Sequence, residues 1–380
     1  MSEILDRIVK CDISIKKPVM DGASFSTIMI IGDAPPDGGK DLRSVDKYAS
    51  LPEVMDAGWK EESEIYKAAR AAFLQESNPE FIYIAVRKES AAVEDDVREE
   101  TDNTEENVHP AEEEGTESLP EPVKNLEKFS ETAKRVVGLA GWYGLALVGA
   151  DEADYEEVAH IIETTEKIFA FSTQSKESTF SRTDYLRTFG IFSESVDEYA
   201  HVAWLARCFS FAPGSETWAY KMLTGVSVSE LTTWEMSRFE ESNMNYYVAC
   251  ANKNITLQGK MLGDEWIDVI RFRDWLKNEM QIRIFELFVQ NPKIAYTDSG
   301  ITLVENQMRA TLQEGQKVGG IAETEFDEND EPIEGYTVTV PKAASLNSAQ
   351  RASRKLQGCK YTARLAGAIH VVEISGNLIF

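Results

Sequence analysis

A histidine and a cysteine at helical spacing form the first candidate for chemistry in this sequence. His201 and Cys208 lie seven residues apart, about two turns of a helix, so both fall on roughly one face and could pair a base with a thiol. Their neighbours Trp204, Leu205 and Phe209 are typical of a buried helix face. The pattern therefore favours packing over catalysis for Cys208.

Two short motifs resemble ligand-binding loops but fail on spacing. Gly38-Gly39-Lys40 lacks the GxxxxGK[ST] spacing of a phosphate loop and follows a proline-rich turn. Asp327 begins a stretch that resembles a calcium loop, but the twelfth position is Val338 instead of glutamate. We interpret residues 327–331 as a solvated acidic turn.

The other metal-ligating residues are dispersed along the chain, and no two cysteines have CxxC spacing. These residues are Cys11, Cys208, Cys250 and Cys359, with His109, His160, His201 and His370. We expect reduced thiols, no catalytic residue, no metal site and no cofactor. Because an enzyme with scattered carboxylates would look similar, a soluble α/β enzyme or nucleotide-binding protein without a recognisable motif is kept as the alternative.

The composition of the chain limits the kinds of partner that it can bind. The chain has 380 residues and a net charge of -26, which argues against binding to nucleic acid or to anionic membranes. The sequence has no apolar run of transmembrane length and no secretory signal at its start, so we expect synthesis in the cytoplasm. At 43% hydrophobic residues the chain can bury a large core.

One segment carries much of the acidic excess. Residues 89–122 contain fourteen Asp and Glu against one Arg, and no aromatic residue. Such a segment cannot bury enough apolar surface to offset the entropy of ordering, so we predict a solvated insertion over 88–125. An acidic tail that binds a cation or a partner is the alternative.

The hydrophobic pattern predicts strands that alternate with amphipathic helices, and hence a mostly parallel sheet covered on both faces. The predicted strands are 25–31, 81–86, 142–148, 168–171, 188–192, 246–250 and 255–257, and the predicted helices are 51–57, 61–76, 126–139, 151–167 and 196–209.

From about residue 262 the pattern changes to long helices. We predict helices over 264–289 and 300–313, a strand over 336–340, and a short helix or ordered loop over 345–357. In the helix predicted over 264–289, charged residues of alternating sign recur at helical spacing, and we interpret them as the exposed outer edge of that helix. These charged residues are Asp268, Arg271, Asp274 and Lys277.

Both ends of the chain alternate in polarity and predict strands. The strand near the start has one apolar face, and the strand near the end covers 361–374. Each strand either completes a sheet of its own chain or pairs with a neighbouring subunit, because an open edge invites another strand.

Several stretches resemble the sequences of contractile-tail sheath proteins. The resemblance is closest over 260–376, weaker over 1–87, and does not extend to the acidic segment 88–125. The stretches that carry it are DEWIDVIRFRDWL (264–276), IFELF (284–288), KIAYTDSGI (293–301) and RLAGAIHVVEISG (364–376), with residues 8–15 and 25–32 near the start.

This resemblance implies a structural protein and not an enzyme. Sheath subunits self-assemble into a helical homo-oligomer of hexameric rings around an inner tail tube, and contraction drives the tube through the host envelope for genome ejection. The implied partners are other copies of the chain, the tube protein, the baseplate and the tail terminator, with no nucleic acid and no direct membrane insertion. The implied location is the virion tail, assembled in the bacterial cytoplasm.

The resemblance also implies a mixed α+β fold in four parts: an N-terminal arm (1–22), an α/β domain of βαβ units (23–257) with the acidic insertion, an inner sheath domain (258–360) and a C-terminal arm (361–380). The arms are expected to exchange strands between subunits, with hinges at their bases. The expected strand residues are Val9, Cys11, Ile13, Ile15, Ile369, Val371, Val372 and Ile374, and the expected hinges are Pro18, Gly22 and Gly358.

Overall fold

The computed structural model describes residues 24–36, 38–39, 42–89, 126–177 and 184–379. The strands are β1 (Ile28–Gly32), β2 (Val45–Tyr48), β3 (Ile82–Val86), β4 (Gly144–Leu147), β5 (Ile168–Thr173), β6 (Thr188–Phe192), β7 (Asn245–Cys250), β8 (Lys253–Leu257), β9 (Glu325–Phe326), β10 (Pro332–Ile333), β11 (Tyr336–Thr339) and β12 (Lys360–Ala363). The α-helices are α1 (Leu51–Asp56), α2 (Glu64–Phe73), α3 (Phe129–Val136), α4 (Glu152–Ile162), α5 (Ala200–Phe209), α6 (Thr233–Glu241), α7 (Ile267–Gln290), α8 (Asp298–Lys317) and α9 (Ser348–Ala352), with 3₁₀ turns at Val196–Glu198 and Ala343–Ser345.

The main sheet has the strand order β2-β3-β1-β4-β5-β6-β7-β8. Its six central strands are parallel, and β2 and β8 close the two edges in antiparallel orientation. Every residue of β1, β4 and β6 is buried, as expected where helices cover both faces of a parallel sheet. The predicted mixed α+β fold with βαβ units is confirmed.

Two hydrophobic cores lie on opposite faces of this sheet, and β1 divides its side chains between them. Ile28 and Ile30 face the core formed with α2 and α5, whereas Met29 and Ile31 face the core formed with α3, α4 and α6. The alternation follows from the two-residue period of a strand.

Helix α7 connects the sheet to a smaller domain at the C-terminal end of the chain. Its first turns place Ile267 and Ile270 in the core beneath α2 and α5. Farther along, Phe272 and Leu276 pack with Leu312 of α8 in a separate core beside β11 and β12. One helix therefore contributes both to the sheet domain (β1–β8 with α1–α6) and to the smaller domain (α8, α9 and β9–β12), which we call the inner domain.

The prediction that all four charges on α7 lie at its exposed edge is wrong for Arg271 and Asp274, and Asp268 is only half-exposed. Arg271 and Asp274 are buried, because each meets oppositely charged or carbonyl groups of the sheet domain. Lys277 does lie at the surface, where it forms an ion pair with Glu166. The 3.6-residue period of a helix cannot show that a charged position faces a polar pocket.

Arg271 has the most contacts of the buried charges. It is fully buried and forms an ion pair with Glu216, whose side chain is also fully buried. Its guanidinium donates to the carbonyl oxygens of Phe25 (2.9 and 3.1 Å), Cys208 (3.2 Å) and Phe211 (2.8 Å). This one side chain thus joins α7 to the start of the sheet domain and to the end of α5.

Several further elements differ from the predictions, among them the unpredicted β9 and β10 and the predicted helix 196–209, which is divided into a 3₁₀ turn and α5. β2 is too short and polar to stand out in the pattern, and α6 was not predicted although Thr232 and Glu235 form a capping box at its start. The predicted strand over 361–374 forms only as β12, which pairs with β11 of its own chain. The predicted acidic turn at 327–331 is confirmed, since Asp327 accepts from the amides of Asn329 and Glu331.

Other predictions concern residues outside the described ranges. The strand near the start of the chain and nearly all of the acidic insertion 88–125 belong to this group. Within the described residues, no helix is both long and apolar enough to span a membrane.

We predict that Arg271→Ala lowers the free energy of unfolding by about 3–5 kcal/mol, because it leaves Glu216 buried without its cation. The control on the same helix is Lys277→Ala, which removes an exposed ion pair and is expected to cost less than about 1 kcal/mol. Urea unfolding of both variants measures the difference. Equal losses would show that the buried pair does not hold α7.

Candidate subunit interface at the C-terminal arm

The inner domain carries a two-stranded sheet that has a free edge on each side. β11 and β12 pair antiparallel from Tyr336–Ala363 to Thr339–Lys360. One face packs on α7 and α8, where Tyr336, Val338 and Ala363 contact the core of Phe272 and Leu312. In the described part of the chain, no third strand pairs with β11 or β12. Such a sheet can accept a strand at either edge.

After β12 the chain remains attached to the inner domain for three residues. The Ala322 amide donates to the Arg364 carbonyl (2.8 Å), and the Ala366 amide donates to the Gly320 carbonyl (3.1 Å). A β-bridge joins Ile321 and Leu365 between these two bonds. The beginning of the C-terminal arm is therefore fixed by backbone hydrogen bonds.

His370 is the next attachment point, and it contacts the sheet domain. Its Nε2 lies 2.8 Å from the Thr217 hydroxyl, and its carbonyl accepts from the Tyr220 hydroxyl. The imidazole stands edge-on to Trp266, with ring centroids 4.8 Å apart, and edge-on to Tyr220 at 5.7 Å. We call Thr217, Tyr220 and Trp266 the socket.

Beyond the socket the apolar side chains of the arm are exposed. Val371 is 79% exposed and Ile374 is 89% exposed, and Leu378 and Ile379 are almost fully exposed. Residues 371–379 form no helix or strand in the isolated subunit. A run of exposed aliphatic side chains in a polypeptide without backbone partners is typical of a segment that pairs with another molecule.

A small cavity of about 40 Å³ lies beneath the arm, lined by the carboxyl groups of Glu216 and Asp268, by Phe272, and by the arm residues Gly367 and Ala368. Burial, together with the charge of the nearby Glu216, raises the pKa of Asp268 to about 6. One carboxylate oxygen of Glu216, Oε2, is buried without a hydrogen-bond partner among the described residues. The cavity is large enough for one water molecule between the two carboxyl groups.

An apolar groove of about 110 Å³ lies at the far end of α7. It is lined by the side chains of Phe288, Ile294, Tyr296, Ile301 and Leu356, with Arg354 at its rim. Phe285 and Val289, on the same helix end, are exposed. The inner domain therefore has an apolar surface separate from its sheet edges.

The predicted arm residues in the described ranges are exposed, as a donated strand requires. Ile369 is 83% exposed and Val372 is 69% exposed. The predicted hinge Gly358 has a left-handed backbone (φ +88°) and no atoms near the position of a side chain. Val9, Cys11, Ile13, Ile15, Pro18 and Gly22 lie outside the described residues, so their roles stay predictions.

His201 and Cys208 are both buried in the core, as predicted. Burial lowers the pKa of His201 to about 3 and raises the pKa of the Cys208 thiol well above its usual value. His201 bonds to the Ser172 hydroxyl (2.7 Å). A neutral imidazole and a protonated thiol fit a packing role.

The sequence analysis did not predict the socket. Thr217 and Tyr220 are about 150 residues from His370 along the chain, so no local spacing relates them. A histidine within an otherwise aliphatic, alternating tail was the one available signal.

Residues 267–378 match a family model described as the C-terminal domain of E217 tail sheath protein gp31-like proteins. The predicted resemblance to contractile-tail sheath proteins is confirmed. A search of curated proteins found no match.

The fold also resembles solved contractile assemblies over nearly the whole chain. A structure of the anti-feeding prophage baseplate matches with a TM-score of 0.62 and 9% identity, covering 97% of this chain and 99% of that chain. The contracted helical sheath of the same prophage matches with a TM-score of 0.60 and 10% identity, covering 96% and 98%. The sheath tail protein of Desulfitobacterium hafniense matches with a TM-score of 0.54 and 12% identity, covering 87% and 93%. At these identities the likeness concerns the fold.

We predict that Asp268→Asn raises the free energy of unfolding by about 1–2 kcal/mol at pH 7. The raised pKa means that ionised Asp268 destabilises the folded state above pH 6, and that this penalty disappears as the pH falls through 6 towards 4. The gain should therefore vanish near pH 4. Unfolding at the two pH values, with the exposed Glu328→Gln as control, measures it. An equal effect at both pH values would contradict this assignment.

Proposed function

We propose that this chain is the structural subunit of a contractile tail sheath. It polymerises around an inner tube and contracts to drive the tube through a host envelope. The observation that carries the proposal is the match of residues 267–378 to a tail sheath domain, in a chain whose fold follows contractile sheath structures over nearly its full length. The alternative of a soluble enzyme receives no support from these comparisons.

Strand exchange is the proposed link between subunits. Each subunit has two open edges on the β11–β12 sheet and a C-terminal segment of exposed aliphatic residues. A donated strand would form backbone hydrogen bonds along an edge, and fully burying each Val or Ile would contribute about 1.5–3 kcal/mol. The N-terminal arm, with Val9, Cys11, Ile13 and Ile15, would supply the strand for another edge.

Contraction is proposed to be a change in packing between subunits. The extended lattice would be metastable, and the arms would keep subunits joined while each rotates as a body. The left-handed backbone and open surroundings of Gly358 support a hinge there, although β12 follows closely and is tied to β11. Pro18 and Gly22 are the hinges proposed for the N-terminal arm.

The proposed partners are other copies of the chain in hexameric rings, the inner tail tube, the baseplate and the tail terminator. The likeness to a baseplate structure supports an association with that part of such particles. The net charge of -26 supports the absence of a nucleic-acid partner. The proposed location is the tail of a virion or tail-like particle, assembled in the bacterial cytoplasm, and the role is structural, without enzymatic activity.

We predict that the purified chain forms long helical tubes, and that deletion of residues 371–380 abolishes them without unfolding the subunit. Of the deleted residues, 371–379 are described in the structure, and these contribute no strand or buried core to the isolated chain. Negative-stain electron microscopy detects tubes, and circular dichroism with thermal unfolding tests the fold. Single rings that do not stack would indicate a baseplate or terminator protein. Small closed oligomers or monomers would contradict the sheath function.

Deletion of residues 89–122 is expected to leave tube assembly intact. A segment with fourteen acidic residues would have to point away from a tightly packed lattice, because like charges repel and cost free energy when desolvated. The measurement is tube yield by sedimentation and microscopy, compared with the full chain. Loss of tubes would show that the segment takes part in assembly.

A further inference from the structure

We propose that His370 is a clamp that divides the C-terminal arm into a docked root, residues 364–370, and a free strand, residues 371–379. The clamp holds the root on its own subunit, so only residues 371–379 pass to a neighbour. The existence of the clamp follows from the contacts within one chain. The pairing of the free strand with a neighbouring subunit rests on the proposed sheath function.

The contrast in exposure locates the clamp at a single residue. Ile369 is 83% exposed and Val371 is 79% exposed, whereas His370 between them is half-buried. His370 is held through its side chain by Thr217 and through its carbonyl by Tyr220, with Trp266 against its ring. An alternating strand that merely lay on the surface would bury every second residue instead of one.

The socket is built on rigid parts of the sheet domain. The Tyr220 amide donates to the carbonyl of Thr256 in the edge strand β8 (2.7 Å), and Thr256 in turn donates to the Lys221 carbonyl (3.0 Å). Thr217 precedes Trp218, which is fully buried. Trp266 immediately precedes the first residue of α7. The backbone that carries the Thr217 and Tyr220 side chains is therefore held by contacts that do not involve the arm.

The docked root connects the two domains. At its beginning, Arg364 and Ala366 bond to residues 320–322 of the inner domain, and at its end His370 binds the sheet domain. Gly367, between the two attachments, has a left-handed backbone (φ +66°) and nothing near its side-chain position. The root thereby bends from one domain to the other and fixes the point from which the free strand leaves.

The clamp limits the reach of the free strand. Nine residues in extended conformation span about 30 Å, measured from the socket beside β8. The sequence pattern predicts a donated strand that begins at residue 361. Such a strand would leave the subunit at the β11–β12 sheet and not at the socket. The clamp therefore selects which neighbouring subunit the strand can contact.

Histidine NMR of the full chain in its unassembled state tests the docked root. The chain has four histidines, so Cε1–H signals of a ¹³C-histidine-labelled sample can be assigned with His370→Gln. Burial and the charge of Lys221 lower the pKa of docked His370. On the Trp266 side the charged groups are Lys260 and Asp264, which form an ion pair.

We expect His370 to titrate below the usual histidine value and to return towards it in the double variant Thr217→Val/Tyr220→Phe. Ile369→Ala, which changes the exposed neighbour, should leave the titration unchanged. An ordinary titration of His370 in the wild-type chain, unaffected by the socket variants, would overturn the docked root.

Assembly tests what the clamp does. We expect His370→Ala to raise the critical concentration for tube formation on the order of tenfold, because two hydrogen bonds that orient the strand are weakened or lost. Ile369→Ala is again the control. An unchanged critical concentration for His370→Ala would overturn the role in assembly. A wild-type chain that forms no tubes would refute the proposed function, and the NMR titration would still decide whether the root is docked.

Discussion

The buried pair of Arg271 and Glu216 is the interaction on which the arrangement of this molecule depends. A guanidinium without access to water is tolerable only if its donors are satisfied, and here a carboxylate and the carbonyls of three residues provide the acceptors. Those carbonyls belong to Phe25, shortly before β1, and to Cys208 and Phe211, at and just after the end of α5. Because the same arginine is part of α7, the long helix cannot shift without breaking this set. The inner domain is thus fixed to the sheet domain by a polar contact inside an apolar core.

A second buried contact reinforces the first, one turn farther along the helix. Asp274 accepts two hydrogen bonds from Arg187 (2.6 and 3.1 Å) and one from the Tyr143 hydroxyl (2.8 Å). Burial and the neighbouring Asp274 raise the pKa of Tyr143, which keeps the phenol neutral and able to donate. Arg187 precedes β6 and Tyr143 precedes β4, so α7 is tied to the middle of the sheet. These contacts fix a second point of α7 against the sheet.

Much of the sheet domain could be predicted from its sequence, because buried parallel strands appear as short apolar runs. β6 was predicted with its exact bounds, and β1, β3, β4 and β5 within a few residues. β2 was missed because Val45–Tyr48 alternates only weakly, and the capping box before α6 was overlooked. The buried charges of α7 and the socket of His370 could not be predicted, since their partners are distant in sequence. The pairing of β12 with β11 of the same chain could not be predicted either, because the alternation of residues within a strand does not show which strand it pairs with.

Helix α7 has 24 residues and is therefore about 36 Å long, enough to pass through both domains. Two buried ion pairs hold one end of α7 in the sheet domain, and the other end packs on α8. Because α7 contributes to the cores of both domains, the two domains are held in one relative orientation within the subunit. In an array of such subunits, a change in overall shape would therefore occur at the contacts between copies.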